Sequence, residues 1–388
     1  MDFIAEHVAK LTPSLTLAIT SQAKALKKQG VDVLSFGAGE PDFKTPSHIT
    51  AAAIKALHDG QTRYTESAGL LELREALSAK LDVDNGLKYD PGQISVNCGA
   101  KHSCYNAIVA VVNPGEEVII PAPYWTSYPE MVRLAGGVPV IVETTAASGW
   151  KMTPEQFEEA MTPMTKMVII NSPGNPTGTV YSKEELEKIA EIATGEGIVI
   201  LSDEIYEKLV YADHKHVSIA SLGKEVYDQT ITVNGFSKAY SMTGWRIGYT
   251  AAPKAIADAI DTIQSHTTSN VTTFAQYGAI AALNGDQQVV ADMREEFNVR
   301  REFMLDRLGK IKNVRVVEPF GAFYFLVNVE PIGIRSVNFA EKLLSKQKVA
   351  VVPGIAFGAD FTVRFSYATS LDVINAGMDR FEEFCNQH

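Results

Sequence analysis

Cysteine is scarce in this sequence. Cys98, Cys104 and Cys385 are the only cysteines among its 388 residues, and no two of them form a Cys-x-x-Cys pair. A chain held together by disulfide bonds needs more cysteines than this, so a disulfide framework is excluded. We therefore expect free thiols and a cytoplasmic protein.

Long apolar runs and an excess of positive charge are also missing. No stretch of about 18 apolar residues occurs, and the first residues lack a basic region followed by an apolar one, so we expect neither a membrane-spanning helix nor a secretory signal. The 35 Lys and Arg residues are outnumbered by 46 Asp and Glu residues, which gives a net charge of −11. That balance argues against nucleic acid or an anionic membrane as the main partner. Any acidic substrate must be bound by local positive groups.

Short apolar runs alternate with amphipathic stretches along most of the chain. Hydrophobic residues make up 46% and charged residues 21% of the sequence, as in an ordinary globular enzyme. The apolar runs have the length of buried strands, and they cover residues 94–96, 118–120, 138–142, 168–170, 198–201, 231–233 and 247–249. Helical patterns stand between most of them. This alternation predicts an α/β fold with a mostly parallel sheet and helices on both faces.

The pattern changes after about residue 285. A long charged helix is predicted over residues 288–308, followed by short strands at 323–327 and 349–352. A chain of this length is large enough for more than one domain. The change therefore predicts a second, smaller domain.

Lys238 is the most informative residue, because Arg246 follows it eight positions later across a glycine. A lysine that condenses with an aldehyde needs a partly desolvated setting that lowers its pKa. A nearby guanidinium can hold a phosphate and also disfavours the ammonium form. The spacing therefore suits a cofactor that carries both an aldehyde and a phosphate, although a lone lysine is more often a solvated surface residue.

Three other segments place polar side chains in or after apolar runs. Asn175 lies in the loop NSPGNPTG at residues 171–178, Asp203 ends a run and precedes Tyr206, and Arg364 interrupts a strand pattern. Ligands of open α/β sheets bind at the carboxyl ends of the strands. A carboxylate there can hold a protonated pyridine nitrogen, and a buried arginine needs an anion such as a carboxylate substrate. The simpler interpretations are a plain turn, a helix N-cap and a structural salt bridge.

In their order and spacing, these segments resemble the class I aminotransferases of fold type I, which depend on pyridoxal phosphate, and within them the bacterial aspartate aminotransferases. The resemblance covers almost the whole chain and includes residues 35–43 (SFGAGEPDF), 64–65, 69–74, 121–125 (PAPYW) and the segments above. It implies a mostly parallel, seven-stranded sheet with helices on both faces, plus a smaller α+β domain. It also implies a large cofactor-binding domain at residues 47–290, and a discontinuous small domain made of residues 1–46 and 291–388.

The resemblance implies how pyridoxal 5′-phosphate is bound through its ring. Lys238 binds the aldehyde carbon and later moves the proton between substrate and cofactor. Asp203 pairs with the ring nitrogen, while Tyr206 and Asn175 hydrogen-bond the 3-oxygen. Trp125 stacks on the ring, where its simpler role is core packing.

The cofactor phosphate is expected where a predicted helix begins. Backbone N–H groups open this helix at Gly99, Ala100 and Lys101. Arg246 adds a guanidinium, and Ser237 can add a hydroxyl.

The substrate is expected to be bound through its α-carboxylate. By resemblance, Arg364 forks onto this carboxylate, with Gly39 and Asn175 beside it and Trp125 against the substrate. The implied reaction moves the amino group of aspartate, or of a related dicarboxylic amino acid, to 2-oxoglutarate by a ping-pong mechanism.

Further residues are expected to bind the distal carboxylate of the substrate or to reach the active site of a second subunit. Lys101 is the expected ligand of the distal carboxylate, with hydroxyls of Thr16 and Ser265 nearby; its simpler role is a solvated lysine. Tyr64 matches a residue that reaches the phosphate of the neighbouring subunit. The resemblance therefore implies a homodimer with shared active sites.

Other functions share parts of this pattern. A prephenate or aromatic aminotransferase is one alternative, although relatives that accept prephenate often carry a lysine where this chain has Thr12. A C–S β-lyase on the same fold would keep Lys238 but lack a pocket for a distal carboxylate. A transcription regulator would need an added helix-turn-helix module, for which the aminotransferase match leaves no room.

A metal site is not expected. His214 and His216 are close in sequence, but no third ligand is near them in the sequence. We therefore interpret this segment as a solvated loop.

Overall fold

The computed structural model describes residues 3–9 and 11–388. The α-helices of the described residues are α1 (Glu6–Ala9), α2 (Leu15–Lys28), α3 (Ser47–His58), α4 (Leu71–Asn85), α5 (Ala100–Val111), α6 (Tyr128–Leu134), α7 (Pro154–Ala160), α8 (Lys183–Gly195), α9 (Lys224–Gln229), α10 (Lys254–Thr267), α11 (Thr273–Asn284), α12 (Gln288–Lys310), α13 (Ser336–Gln347) and α14 (Leu371–Asn386). None of these helices is long and apolar enough to cross a membrane.

The strands form one large sheet and two smaller ones. They are β1 (Leu34–Ser35), β2 (Ile94–Asn97), β3 (Glu117–Ala122), β4 (Val138–Glu143), β5 (Thr165–Asn171), β6 (Val199–Asp203), β7 (Thr230–Gly235), β8 (Gly248–Ala251), β9 (Arg315–Val316), β10 (Tyr324–Asn328), β11 (Val349–Ala350), β12 (Val352–Pro353) and β13 (Thr362–Ser366). Every apolar run predicted as a strand overlaps one of them.

The large sheet has seven strands in the order β2-β8-β7-β6-β5-β3-β4. All of its strands run parallel except β8, which is antiparallel to both β2 and β7. The central strands are buried along most of their length, as in β7, where all six residues are buried. Parallel strands covered on both faces need such continuous apolar runs, which explains why the sequence revealed them. The predicted α/β class is confirmed.

Helices cover both faces of this sheet because successive side chains of a strand point to opposite sides. On one face Val118, Met167 and Ile169 pack in a buried cluster with Ile108 of α5 and Ile260 of α10. On the other face a second cluster joins strand residues to α7 and α8, and it contains Ile119, Val168, Ile170, Phe157, Leu186 and Ile189. Helix α8 begins with the capping box of Ser182 and Glu185 that its sequence pattern indicates.

The C-terminal part has its own sheet and core. Strands β12-β13-β10-β9 form an antiparallel sheet, and Phe297 of α12 lies fully buried in the cluster beneath it. Strand β1 pairs in parallel with β11, where Leu34 lies opposite Val349. This pairing joins the N-terminal segment to the C-terminal part, and it supports our proposal that residues 1–46 and 291–388 form a small domain beside residues 47–290.

The two parts meet where the functional side chains are concentrated. Strand β5 ends at Asn171, β6 at Asp203 and β7 at Gly235, so the loops that follow leave the same edge of the large sheet. Arg364 reaches this edge from β13 of the smaller sheet. The core of the large sheet and the core of the C-terminal part thus position residues of one site.

Candidate active site

A cavity of about 1110 Å³ opens at the carboxyl edge of the large sheet. The predicted site residues that line it are Thr16, Gly39, Ala100, Lys101, Trp125, Asn175, Asp203, Tyr206, Ser237, Lys238, Arg246 and Arg364. Residues from distant parts of the sequence therefore converge on one space. The sequence-based expectation that these segments belong to one site agrees with this placement.

Lys238 is the basic group at the centre of this set. Its Nζ donates a hydrogen bond to the carbonyl oxygen of Gly39 at 2.5 Å. Burial lowers the pKa of the Lys238 ammonium to about 8, and the positive charges of Arg364 and Arg246 act in the same direction, whereas Glu40 opposes them. A far larger fraction of this amine is therefore uncharged near neutral pH than of an ordinary lysine, and the uncharged form is the one that acts as a nucleophile or a base.

Asp203 is buried, with hydrogen-bond donors on both carboxylate oxygens. Tyr128 donates its phenol proton to Oδ2 at 2.7 Å, and the Cys104 thiol lies 3.7 Å from the same oxygen. The backbone N–H of Ile205 donates to Oδ1 at 3.2 Å. Burial raises the pKa of the Asp203 carboxyl, while these donors act against that rise. The sequence analysis missed both Tyr128 and Cys104.

Arg364 is buried without a carboxylate partner among residues 3–9 and 11–388. Its Nη1 donates to Asn175 Oδ1 at 2.9 Å and its Nη2 to the Gly37 carbonyl at 3.1 Å. The Nε is buried and makes no hydrogen bond with the described residues. The guanidinium lies over the rings of Tyr324 and Phe357, at 4.5 and 5.0 Å from their centroids. A buried guanidinium with only neutral partners fits an anionic substrate.

The predicted ligands of the 3-oxygen lie close to this arginine. The hydroxyl of Tyr206 is 2.9 Å from that of Tyr324, a residue that the sequence analysis missed. Burial raises the pKa of the Tyr206 phenol well above its usual range. Tyr206 is therefore a neutral hydrogen-bonding group in the cavity wall.

The start of α5 forms a cradle for an anion. Gly99 precedes the helix at φ 82° and provides no side-chain cap, and no described group accepts a hydrogen bond from the backbone N–H of Ala100 or Lys101. Arg246 lies against this turn, since a Cβ on Gly99 would come within 2.4 Å of its Nη2. Free N–H groups at a helix start beside a guanidinium fit a phosphate.

The outer wall of the cavity carries the residues predicted to meet the distal carboxylate. The Nζ of Lys101 lies over the ring of Trp125, 5.0 Å from its centroid. Burial lowers the pKa of Lys101, with Arg246 adding to the effect. The hydroxyl of Thr16 is buried and has no hydrogen-bond partner among the described residues, so it is available to a bound ligand.

Tyr64 and Ser265 do not line the cavity of this single chain. Tyr64 is 90% exposed, and the hydroxyl of Ser265 donates to the Thr262 carbonyl of its own helix at 2.7 Å. Their predicted roles place them in the site of a partner subunit, so those roles stay predictions.

Glu40 and Thr243 are further cavity residues that the sequence analysis missed. Thr243 donates its hydroxyl proton to Glu40 Oε2 at 2.8 Å. Glu40 follows Gly39 in the motif SFGAGEPDF, and Thr243 precedes Gly244 between Lys238 and Arg246. Their positions inside these two motifs could have indicated that they belong to the site.

The interpretation of His216 as part of a solvated loop is wrong. His214 is exposed, but the His216 side chain is only 10% exposed and its Nε2 is 2.9 Å from Glu204 Oε2. Glu207 lies close enough that its carboxylate, that of Glu204 and the imidazole of His216 could share an ion. Lys80 already forms an ion pair with Glu207. The ammonium of Lys80 therefore provides the positive charge that a metal ion would otherwise bring to these carboxylates. Our expectation of no metal is unchanged.

Comparison with known proteins places this geometry in a family. The model of the family "Aminotransferase class I and II" matches residues 31–381. The chain belongs to this family. The match confirms the resemblance seen in the sequence, and the cofactor of the family is pyridoxal 5′-phosphate, which fits the anion cradle and the half-buried Lys238.

Relatives of known name agree over their full lengths. The chain is 52% identical to an aspartate aminotransferase of Geobacillus stearothermophilus over 386 residues, 98% of each protein. It is 49% identical to a probable aspartate/prephenate aminotransferase of Aquifex aeolicus, with 98% of each covered. The solved structure of the Thermus thermophilus aspartate aminotransferase with maleate is similar at a TM-score of 0.95 and 43% identity, covering 99% of this chain and 100% of that one. These matches confirm the fold and identify the chain as an aminotransferase.

The lowered pKa of Lys238 gives a prediction for the cofactor-free protein. Only an uncharged amine attacks an aldehyde, so the rate at which Lys238 captures pyridoxal phosphate should rise with pH and level off above about 8. Stopped-flow absorbance between pH 6 and 10 measures this rate. Nα-acetyl-lysine, whose amine has an ordinary pKa of about 10.4, corrects for ionisation of the cofactor. A corrected rate that still rises steeply from pH 9 to 10 would contradict the low pKa.

Proposed function

We propose that this aminotransferase transfers the amino group of aspartate to 2-oxoglutarate. The observation that carries the proposal is the pair of unneutralised cationic groups in one cavity, Arg364 and Lys101. Aspartate and 2-oxoglutarate each carry two carboxylates, so one binding mode serves both partners of a ping-pong exchange. The names of the relatives support this substrate class.

The cofactor, when bound, supplies an aldehyde that receives the amino group and a ring that withdraws electrons from the substrate Cα. We assign its ring nitrogen to Asp203 and its 3-oxygen to Tyr206 and Asn175. Trp125 would stack on one face of the ring, a contact worth about 0.5–1.5 kcal/mol beyond area burial. Together these side chains would orient the ring toward Lys238, which lines the same cavity.

The phosphate anchors the cofactor at the opposite end. We assign it to the free N–H groups of Ala100 and Lys101 at the turn of Gly99, to the guanidinium of Arg246 and to the hydroxyl of Ser237. The helix start and the guanidinium both favour a dianion. With its phosphate held there, the cofactor would present its aldehyde to Lys238 in the same cavity.

Lys238 moves the proton in the chemical step. With cofactor and substrate bound, its uncharged amine would take a proton from the substrate Cα and return one on the cofactor side. The lowered pKa makes the uncharged amine accessible near neutral pH, and its hydrogen bond to the Gly39 carbonyl holds it beside the substrate site.

Arg364 and Lys101 orient the substrate at its two ends. The fork of Arg364 binds the α-carboxylate, and Gly39 lies beside it with its backbone. Lys101 and the free hydroxyl of Thr16 receive the distal carboxylate. Substrates that lack the second carboxylate lose only the latter contacts.

The residue at position 12 favours aspartate over prephenate as the substrate. Thr12 lines the cavity, and it offers a neutral hydroxyl where relatives that accept prephenate often carry a lysine. We therefore propose a dicarboxylic amino acid as the main substrate, and make no proposal for the C–S lyase or regulator alternatives.

We also propose a homodimer in the cytoplasm. Tyr64 is almost fully exposed and lies outside its own cavity, as expected of a residue that completes the site of a second subunit. The cysteines are free thiols, which suits a reducing compartment.

Substitution of the two cationic groups tests the substrate assignment. Arg364→Ala should raise KM about tenfold or more for every amino acid, because each has an α-carboxylate. Lys101→Ala should cost about tenfold to a hundredfold in kcat/KM for aspartate but little for alanine. Steady-state assays with both amino acids measure the split. Lys24→Ala, which changes another lysine at the cavity rim, is the matched control; equal losses for aspartate and alanine in Lys101→Ala would contradict the assignment.

Mixing two inactive variants tests the shared active site. One chain carries Lys238→Ala, and the other carries Tyr64→Ala with Ser265→Ala. In a mixed dimer, one site combines an intact Lys238 with an intact Tyr64 and Ser265 from the partner subunit. Random exchange should then restore about a quarter of wild-type activity, since half of the dimers are mixed and each has one complete site of two. If both residues acted within their own chain, every site would stay defective and no activity would return.

A further inference from the structure

Asp203 receives two side-chain donors on a single carboxylate oxygen. The phenol of Tyr128 and the thiol of Cys104 both point at Oδ2, at 2.7 and 3.7 Å, and the Ile205 N–H occupies a position on Oδ1. A carboxylate oxygen offers two lone pairs. The two side chains therefore satisfy Oδ2, and the remaining capacity of the group lies on Oδ1.

Both donors stay protonated at working pH. Tyr128 and Cys104 are buried, and burial beside the negative charge of Asp203 raises the pKa of the phenol and that of the thiol well above their usual ranges. A protonated phenol next to an ionised carboxylate can only donate. The direction of the Tyr128 hydrogen bond is therefore fixed.

These donors oppose the effect of burial on Asp203. Burial and the neighbouring Glu204 favour the neutral acid, whereas Tyr128, Cys104 and the Ile205 N–H favour the carboxylate. Lys238, across the cavity, is also influenced by the charge of Asp203. If the donors were lost, Asp203 would become a stronger base in the same place.

We propose that Tyr128 is a positioning residue that holds Asp203 as the ionised acceptor, so that the shared proton stays on the cofactor ring nitrogen. The inference rests on the proposed role of Asp203. With the ring nitrogen held at Asp203, the two groups would share a single proton, which would reside on whichever is the stronger base. By donating to Oδ2, Tyr128 weakens Asp203 as a base and leaves the proton on nitrogen, where it makes the ring electron-withdrawing.

A packing role is the competing explanation. Tyr128 belongs to the apolar cluster between α5, α6 and the sheet, and its ring meets that of Trp125 edge to face at 5.2 Å. Phenylalanine would preserve this packing and remove only the hydroxyl. Tyr128→Phe therefore separates the two roles.

The test follows the ring nitrogen in the full-length holoprotein. Wild type and Tyr128→Phe are loaded with pyridoxal phosphate labelled with ¹⁵N in the ring, and the ¹⁵N chemical shift is recorded. The wild-type resonance should lie at the value of a protonated ring, and that of Tyr128→Phe should move toward the value of an unprotonated pyridine. The kcat should fall about tenfold with KM for aspartate little changed, as expected from losing one hydrogen bond to a charged group.

Two further variants make the test decisive. Cys104→Ala removes the weaker donor from the same oxygen and should move the resonance in the same direction by a smaller amount, which also covers the case of a poorly folded Tyr128→Phe. Tyr227→Phe removes a phenol that donates to the Lys88 carbonyl outside the cavity, and it should leave both the resonance and kcat unchanged. An unchanged resonance in Tyr128→Phe and Cys104→Ala would overturn the inference. A chain that did not bind the cofactor at all would instead refute the proposed function.

Discussion

The burial of unlike charges at one edge of the large sheet is the constraint on which the site depends. Asp203 and Arg364 are almost fully buried and Lys238 is half-buried, and the desolvation of a buried ion costs several kcal/mol. The chain offsets this cost only in part, with neutral donors on Asp203 and neutral acceptors on Arg364. In the function that we propose, the cofactor and a dicarboxylic substrate supply the missing opposite charges. The same setting lowers the pKa of Lys238 to about 8, which suits the nucleophile and base that we assign to it.

The fold provides this edge by combining two cores. The large sheet ends its strands at Asp203 and before Lys238, and its apolar interior fixes both loops. The antiparallel sheet supplies Arg364, while the N-terminal segment adds the carbonyls of Gly37 and Gly39. Arg364, which we assign to the substrate, belongs to the antiparallel sheet, whereas Asp203 and Lys238, which we assign to the cofactor, follow strands of the large sheet. A movement of one part relative to the other would therefore change the substrate contacts more than the cofactor contacts.

Much of this arrangement could be predicted from the sequence, and the exceptions have a common cause. Continuous apolar runs revealed the seven strands because a doubly covered parallel sheet leaves no polar face. Arg364 stood out because a charge interrupts an apolar strand pattern, and Lys238 stood out because Arg246 follows it eight positions later across a glycine. Tyr128 could not be predicted, since a tyrosine in an apolar cluster looks like packing until its hydroxyl is seen on Asp203. His216 was wrongly interpreted because Glu204, its partner, approaches only in the folded chain. Both errors concern a contact between two side chains, Tyr128 with Asp203 and His216 with Glu204, that forms only when the chain folds.

Reductive trapping of the cofactor tests the central claim, that Lys238 is the residue which binds it. The holoprotein is treated with borohydride, digested, and the labelled peptide is identified by mass spectrometry. Lys101 lines the same cavity, also has a lowered pKa, and is the natural competitor. The account predicts a label on Lys238 alone, and none in the Lys238→Ala variant. A label on Lys101, or on any other lysine of the wild-type protein, would contradict it.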